Sequence, residues 1–181
     1  MIFGIMKMKV IDNFLSEEDF DWIFMEIDSP ERPWYYSEIL SSQTIAGYLK
    51  EEMRLIIDPL HNSQFCFKLN PNTEYIKPLI DKLGAKEVKR IKVNKTLPTK
   101  EHISHGFHID YADDWKGTNP DPCKTAIFYI NNNNGYTEFE DGSKVNSVAN
   151  RVCIFDNGFR HAGTTTTNTI HRTVININYY E

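Results

Sequence analysis

The chain has 181 residues, 40% of them hydrophobic, and a formal net charge of −5 at pH 7. This length suits one compact core, so we expect a single domain over 1–181, helical or mixed over 1–86 and a β-barrel core over 87–181. The acidic balance and the lack of a basic block argue against a stable nucleic-acid partner. The densest basic stretch, residues 86–95, alternates with apolar residues and predicts a strand with one solvated face.

The cysteines and the hydropathy of the chain indicate where in the cell the protein resides. Cys66, Cys123 and Cys153 form no CxxC pair, and an odd, sparse set argues against a disulfide framework and for a reducing environment. No export signal is visible near Met1, and no apolar run reaches the roughly 18–20 residues that a membrane span needs. We therefore expect a cytoplasmic protein without a membrane partner.

The first half of the chain predicts two helices. Ser16 precedes three acidic residues and has the character of an N-cap, so a helix is expected over 17–28. A second helix is expected over 73–83, with Gly84 as its stop. Residues 34–72 are ambiguous: WYYSEI could be a strand and TIAGYLKEEMRLII a helix.

From residue 87 onward, short β-branched and aromatic runs alternate with turn residues, as in a β-sheet. Hairpin turns are expected at Asn134-Gly135 and Asp141-Gly142. The order of elements predicts an α+β fold, in which a jelly-roll barrel (a cupin-like double-stranded β-helix) carries the N-terminal helices on one outer face. The candidate strands are 87–95, 106–110, 124–131, 136–140, 143–147, 151–156 and 170–180.

One histidine and one aspartate suggest a metal site. His108 and Asp110 lie two positions apart in SHGFHIDY, so on an extended strand both side chains leave the same face. An imidazole and a carboxylate, completed by a second histidine, form the facial triad of non-haem iron(II) sites. His161 is the candidate for the second histidine, because it follows the strand RVCIFD and the turn Asn157-Gly158. Alone, an HxD pair is weak support.

Arg172 adds an independent signal. It opens the segment RTVININYY, in which alternation places Arg172, Val174, Asn176 and Asn178 on one, more polar face. A buried arginine is costly unless an anion meets it, and the guanidinium fork suits a carboxylate. The alternative is a structural ion pair with an internal Asp or Glu.

The motif HxD, a distal His and then an Arg resembles that of the 2-oxoglutarate- and iron(II)-dependent oxygenases, close to the prolyl 4-hydroxylase-like branch of phages and marine bacteria. The similarity covers residues 88–180, and the segment VIDNFLSEEDF is similar to that branch's opening. The resemblance implies that iron(II) is bound by His108, Asp110 and His161, and that Arg172 holds the far carboxylate of 2-oxoglutarate. It also implies dioxygen as co-substrate and leaves ascorbate open as an additional cofactor.

A tyrosine also matches the family's pattern. In the family, a Tyr on the strand after the HxD loop hydrogen-bonds the same carboxylate, and this position corresponds to Tyr129 in TAIFYINN. A core tyrosine is the alternative. Where many members have a Gly-Gly turn, this chain has Gly135-Tyr136-Thr137, which predicts a changed co-substrate wall.

The resemblance implies a dioxygenase that hydroxylates an unactivated C–H bond, and the branch suggests a prolyl residue. A peptide, a protein or a small molecule remains open as substrate. Two other functions compete: a cupin-like metal-binding module without oxidase activity, and a metal-dependent hydrolase. The polar loop at 111–122 could be a substrate lid or a plain connector.

Overall fold

The structure is a computed structural model that describes residues 8–38, 63–111 and 121–181. Within these ranges the chain forms two α-helices, α1 (Glu17–Asp28) and α2 (Lys77–Leu83), with a short 3-10 turn at Glu74–Ile76. The strands are β1 (Lys9–Ile11), β2 (Tyr35–Glu38), β3 (Ser63–Lys68), β4 (Glu87–Thr96), β5 (Lys124–Tyr129), β6 (Tyr136–Phe139), β7 (Lys144–Asn146), β8 (Arg151–Asp156), β9 (His161–Gly163) and β10 (Arg172–Tyr180).

Both helices form where capping residues predict them. The Ser16 hydroxyl accepts a hydrogen bond from the Asp19 amide at 3.2 Å and caps α1, since the first amides of a helix lack internal partners. Gly84 ends α2 in the left-handed conformation, with φ of 70°, which favours glycine. The predicted helices at 17–28 and 73–83 are thus confirmed, the second beginning as a 3-10 turn. The predicted helix in TIAGYLKEEMRLII lies outside the described residues.

The strands form two antiparallel sheets. The larger has seven strands in the order β1-β8-β5-β10-β4-β3-β2, and the smaller has the order β7-β6-β9. The strand predicted in WYYSEI is β2. β1, β2 and β3 come from the first half of the chain, so the large sheet extends beyond the 87–181 range expected for the barrel core. The described part of the chain is therefore mostly antiparallel sheet with few helices.

The two faces of the large sheet have different neighbours. On one face, Ile91, Phe128 and Ile175 pack in a single buried cluster with Ile23 and Leu79 of the helices. On the other face, apolar side chains of both sheets form a second cluster, made of Ile127, Tyr129, Phe139, Val145, Cys153, Phe155, Phe159 and Val174. Side chains that alternate along a strand thus reach two separate cores, as strand geometry requires.

Two local predictions are wrong. Asn134-Gly135 is no hairpin turn, because β5 and β6 lie in different sheets and Gly135 does not adopt positive φ. Residues 106–110 form no strand: Gly106 adopts φ of 82°, which takes the chain out of the extended conformation, and His108 makes only an isolated bridge to His161. The turn at Asp141-Gly142 is confirmed, with Gly142 at φ of 88° between β6 and β7.

Among the described residues, no helix has the length and hydrophobicity needed to cross a bilayer. The thiols of Cys66, Cys123 and Cys153 are free, in agreement with the predicted absence of a disulfide framework.

Candidate metal centre

A cavity of about 370 Å³ opens between the two sheets. Its volume lies in the range of small-molecule sites. On the large sheet, alternate residues of β4 and β10 form its wall. The cavity is lined by Gln64, Arg90, Lys92, Asn94, Thr96, His105, His108, Ile109, Asp110, Ile127, Thr137, His161, Gly163, Arg172, Val174 and Asn176.

The structure brings His108, Asp110 and His161 together in this cavity. Their ligand atoms all lie within 4.8 Å of one another. Two reciprocal backbone hydrogen bonds between His108 and His161, of 2.9 and 3.0 Å, hold the histidines side by side. Asp110 then faces both imidazoles, with Oδ1 3.7 Å from Nε2 of His108 and Oδ2 3.8 Å from Nε2 of His161.

Backbone carbonyls orient both imidazole rings. Nδ1 of His108 lies 3.1 Å from the Gly106 carbonyl, and Nδ1 of His161 lies 3.2 Å from the Phe159 carbonyl. Because a carbonyl only accepts, each Nδ1 must carry the proton and each Nε2 lone pair is free to bind a metal. Two Nε2 atoms and one carboxylate are the donor set of a facial triad, so these residues fit a divalent metal.

The three groups perturb one another's ionisation. Burial lowers the pKa of His161 to about 4, which keeps its imidazole neutral at pH 7. Burial opposes the charge on His108 as well, but the hydrogen bond and charge of Asp110 outweigh it and raise the pKa of His108. Burial also opposes the Asp110 carboxylate, yet His108, His161 and Arg90 together hold the pKa of Asp110 well below its usual range. Asp110 is therefore ionised and ready to bind a cation.

Two further residues, neither of them predicted from the sequence, hold the Asp110 carboxylate. Nη2 of Arg90 lies 3.1 Å from Oδ1, and the Asn176 amide donates to the carboxylate at 3.3 Å. The Arg90 Nε in turn donates to Asn178 at 3.0 Å. The strand predicted in the basic stretch around Arg90 is β4, but Arg90 and Lys92 line the cavity, so their face is not the solvated one that we predicted. The polar face predicted for β10 was the signal that could have located Asn176.

Arg172 lies in the same cavity, beyond the triad. Only 4% of it is exposed, its Nε donates to the Ser147 hydroxyl at 2.9 Å, and its Nη2 donates to the Thr137 hydroxyl at 3.1 Å. Within the described ranges no carboxylate pairs with it. Burial lowers the pKa of Arg172, since a guanidinium without a counter-ion is poorly solvated there. The structural ion-pair alternative thus has no support in the described part of the chain.

Tyr129 lies under Arg172 and is fully buried. Its ring centroid is 5.7 Å from the guanidinium carbon, and its hydroxyl donates to Thr137 at 2.8 Å. Burial raises the pKa of Tyr129, so the phenol stays protonated. Tyr129 does not itself line the cavity, but its hydrogen-bond partner Thr137 does. Thr137 belongs to the segment Gly135-Tyr136-Thr137, where the sequence departs from the family's pattern. The departure thus places a threonine hydroxyl in the cavity wall.

Of the remaining histidines, His105 also lines the cavity but does not belong to the metal-binding group found among the described residues. Most of the loop proposed as a lid, residues 112–120, lies outside the described ranges.

The fold is similar to that of several solved oxygenases. The viral collagen prolyl hydroxylase of Paramecium bursaria Chlorella virus-1, in a 2-oxoglutarate complex, is 15% identical with a TM-score of 0.56, and the match covers 96% of each chain. A prolyl hydroxylase from Trichoplax adhaerens, in complex with a hypoxia-inducible-factor peptide fragment, is 13% identical with a TM-score of 0.65, covering 96% of this chain and 83% of that one. A 2OG-Fe(II) oxygenase-family oxidoreductase from Burkholderia pseudomallei is 11% identical with a TM-score of 0.58, covering 96% and 84%.

No protein-family model matches the chain, and no curated protein matches its sequence. The structural similarity therefore defines the class by fold: the chain has the fold of the 2-oxoglutarate- and iron(II)-dependent oxygenases. The prolyl hydroxylases among these structures agree with the branch that the sequence motif resembles.

Proposed function

We propose that this protein is a 2-oxoglutarate-dependent dioxygenase that hydroxylates an unactivated C–H bond. One observation carries the proposal: a buried arginine without a carboxylate partner in the described residues shares a cavity with a His-Asp-His group. A metal-binding barrel with no co-substrate has no need of such an arginine. The cupin-like module and the hydrolase, which leave Arg172 unexplained, are therefore the less favoured functions.

In this proposal His108, Asp110 and His161 hold iron(II). Bound iron would supply the redox chemistry with dioxygen. The protein's own part is to present the Nε2 atoms of two imidazoles and one ionised carboxylate. The carbonyls of Gly106 and Phe159 fix the imidazoles, and the proton that Asp110 favours on His108 would be displaced on metal binding. The side chain of His108 is 35% exposed whereas that of His161 is 2% exposed, so we place the entrance for substrate on the His108 side.

Arg172 anchors the far carboxylate of 2-oxoglutarate in this proposal. The contacts with Ser147 and Thr137 fix the guanidinium in one orientation before any ligand arrives, and a fixed donor loses less entropy on binding. Tyr129 belongs to the same anchor: it supports the Thr137 hydroxyl and lies under the guanidinium, in line with its expected place in the co-substrate site. Ascorbate remains only an optional additional reductant.

We also propose the finer architecture predicted from the sequence. The two facing sheets would form a jelly-roll, double-stranded β-helix, with the helices packed on the outer face of the larger sheet, in one domain over 1–181. The shared core of α1, α2 and the large sheet supports this arrangement. A cytoplasmic location stays a prediction, to which the free thiols lend support.

A prolyl residue is the first substrate to test, since two of the similar structures are prolyl hydroxylases. The experiment measures succinate release from 2-oxoglutarate by the iron(II)-loaded protein, with and without proline-containing peptides. We expect release that depends on iron and on Arg172. Metal binding without any 2-oxoglutarate binding would favour the cupin-like module. Hydrolysis of the peptide, without succinate release, that survives replacement of iron by zinc would favour the hydrolase.

A further inference from the structure

Lys92 lies in the cavity and has no assigned role in the proposed reaction. It is half-buried on β4, and no carboxylate within the described residues forms an ion pair with it. Burial lowers the pKa of Lys92; Cys66 and Asp110 oppose this shift, whereas the positive charges of Arg90 and Lys68 add to it. A lysine with such surroundings would gain from a bound anion.

The strand register adds a second lysine beside it. Lys68 of β3 is directly opposite Lys92 in the antiparallel pair, and residues paired in this way point to the same side of the sheet. Like charges in direct opposition destabilise a sheet. The pair thus concentrates positive charge on the cavity side of β3 and β4, on a protein whose overall charge is negative.

The proposed reaction does not neutralise this charge. A divalent metal, dianionic 2-oxoglutarate and Asp110 together carry one net negative charge. Arg90 and Arg172 reverse it to one positive charge, and Lys92 adds another. An anionic group on the substrate would balance part of this excess.

Hydrogen-bond acceptors without partners lie on the same cavity wall as Lys92. Asn176, the residue of β10 opposite Lys92, is 9% exposed, and its Oδ1 has no partner in the described structure. The same holds for Oδ1 of Asn94 and for Oγ1 of Thr96, which is 5% exposed. Buried acceptors without donors are uncommon, and all three residues line the cavity. They suit the N–H groups of a ligand.

We propose that Lys92, with Lys68, binds a carboxylate of the substrate, while Asn94, Thr96 and Asn176 accept hydrogen bonds from its neighbouring N–H groups. The inference rests on the proposed function and narrows its substrate to a molecule that has amino-acid character near the reacting carbon. Such a carboxylate belongs to a free amino acid or to an acidic residue of a peptide.

Matched ligands separate these two sources. One set pairs free amino acids, proline included, with their amides. The other pairs blocked proline peptides that contain Asp or Glu with the same peptides containing Asn or Gln. Affinity is measured by calorimetry on zinc-loaded protein saturated with 2-oxoglutarate, where no turnover occurs, and succinate release is then measured with iron.

We expect at least one carboxylate to bind, with its amide partner weaker by about tenfold to a hundredfold, as for the loss of a charged hydrogen bond. Lys92→Gln should abolish this preference and Lys92→Arg should retain much of it. Lys89→Gln is the control, because Lys89 pairs with Glu87 at 2.9 Å outside the cavity. Lys92→Gln removes the charge repulsion between Lys92 and Lys68, so this variant should fold. A thermal melt checks that it does.

Three results would overturn the inference: amides that bind as well as acids, no binding by any ligand of either set, or a Lys92→Gln variant that loses affinity for 2-oxoglutarate instead. Failure of the proposed function is a different result, since the wild-type protein would then not bind 2-oxoglutarate at all.

Discussion

At the scale of single residues, the candidate metal centre consists of three side chains, each of which is held in place by its own neighbours. The imidazoles are held by backbone carbonyls, and the carboxylate is held by Arg90 and Asn176. Such outer partners fix the tautomer and orientation of metal ligands. The ligands are thus oriented through contacts that do not depend on the ion.

His108→Ala, Asp110→Ala and His161→Ala should each lose iron(II) binding. The loss should exceed the roughly 10–100-fold that typically follows removal of an outer partner, because two ligands hold a labile divalent ion poorly. Anaerobic metal titration checks this. His105→Ala, on the same cavity wall, is the control and should bind iron almost normally; a triad variant with unchanged affinity would contradict the assignment.

Arg172→Ala should retain the metal and lose 2-oxoglutarate. Removing one partner of a buried charged contact typically costs about 2–5 kcal/mol, and Arg172→Lys should be intermediate because lysine keeps the charge without the planar fork. An anaerobic 2-oxoglutarate titration, followed by the metal-to-ligand absorption band, measures the affinity.

Two other variants serve as comparisons for Arg172→Ala in the 2-oxoglutarate titration. Tyr129→Phe should lower the affinity modestly, because Thr137 loses one of its two donors and keeps only the hydrogen bond from Arg172. Arg151→Ala should leave it unchanged, because Arg151 pairs with Asp12 and does not line the cavity. Equal affinity in the wild type and in Arg172→Ala would leave the arginine with a purely structural role.

At the scale of elements, the segment before β6 passes close to Arg172, and this contact, not a turn, explains the glycine at position 135. A Cβ on Gly135 would lie 2.7 Å from Cδ of Arg172 and 2.9 Å from the Thr165 carbonyl oxygen. The backbone oxygen cannot move aside as a flexible side chain could. Glycine at this position therefore allows the arginine to reach the cavity.

Gly135→Ala should destabilise the fold by about 1–3 kcal/mol, as overpacking does, and should weaken 2-oxoglutarate binding by displacing Arg172. Chemical denaturation and the anaerobic titration measure the two effects. Gly163→Ala is the matched comparison, since its Cβ would meet only Nη1 of Arg172, at 3.3 Å; it should affect binding more than stability. A Gly135→Ala protein as stable as wild type would show that the loop relaxes freely.

Strand alternation explains how much of this could be predicted. In β10 it correctly separated Arg172 and Asn176 from Ile175 and Ile177, because a strand with different neighbours on its two faces shows a clear period of two. In β4 the same alternation was visible, but a basic face inside a cavity and a basic face in solvent look alike in sequence. Arg90 and Lys92 were assigned to solvent for that reason.

Other features lacked a local signal. The strand β9 spans only His161–Gly163, too few residues to show a period. Asn134-Gly135 has the composition of a hairpin turn, yet the strands on either side belong to different sheets, which is decided by long-range pairing. The grouping of His108, Asp110 and His161 could be predicted, because the motif spacing and the distal histidine indicated it without knowledge of the strand pairing; their role as metal ligands stays a prediction.

At the scale of the whole molecule, two cysteines report on the integrity of the cores. Burial raises the pKa of both Cys123 and Cys153 to about 12, and only the thiolate reacts with alkylating agents. At pH 8 we expect half-buried Cys66 to react first, whereas the other two should react only as the protein unfolds. Mass spectrometry of labelled peptides checks the order, and Cys66→Ser should take up almost no label under native conditions.

These thiols also predict a pH dependence. A pKa raised on folding favours the folded state fully below the thiol's ordinary pKa, and this contribution is lost as pH rises from about 9 towards 12. Thermal melts should therefore show a fall in stability above pH 9 that is smaller in Cys153→Ala than in wild type, relative to each protein's value at pH 7. An equal fall in both proteins would show that groups other than Cys153 cause the loss of stability at alkaline pH.

The position of β10 has a consequence for the nascent chain. β10 is the fourth of seven strands in the large sheet and joins β5 on one side to β4 on the other, yet all its neighbours are synthesised before it. Until residues 172–180 leave the ribosome, the two halves of the sheet expose unpaired edges, and exposed edges invite aggregation. Pairings this distant in sequence also form slowly. The protein should consequently depend on chaperones during synthesis, and its soluble yield should fall when they are depleted; an unchanged yield would contradict this.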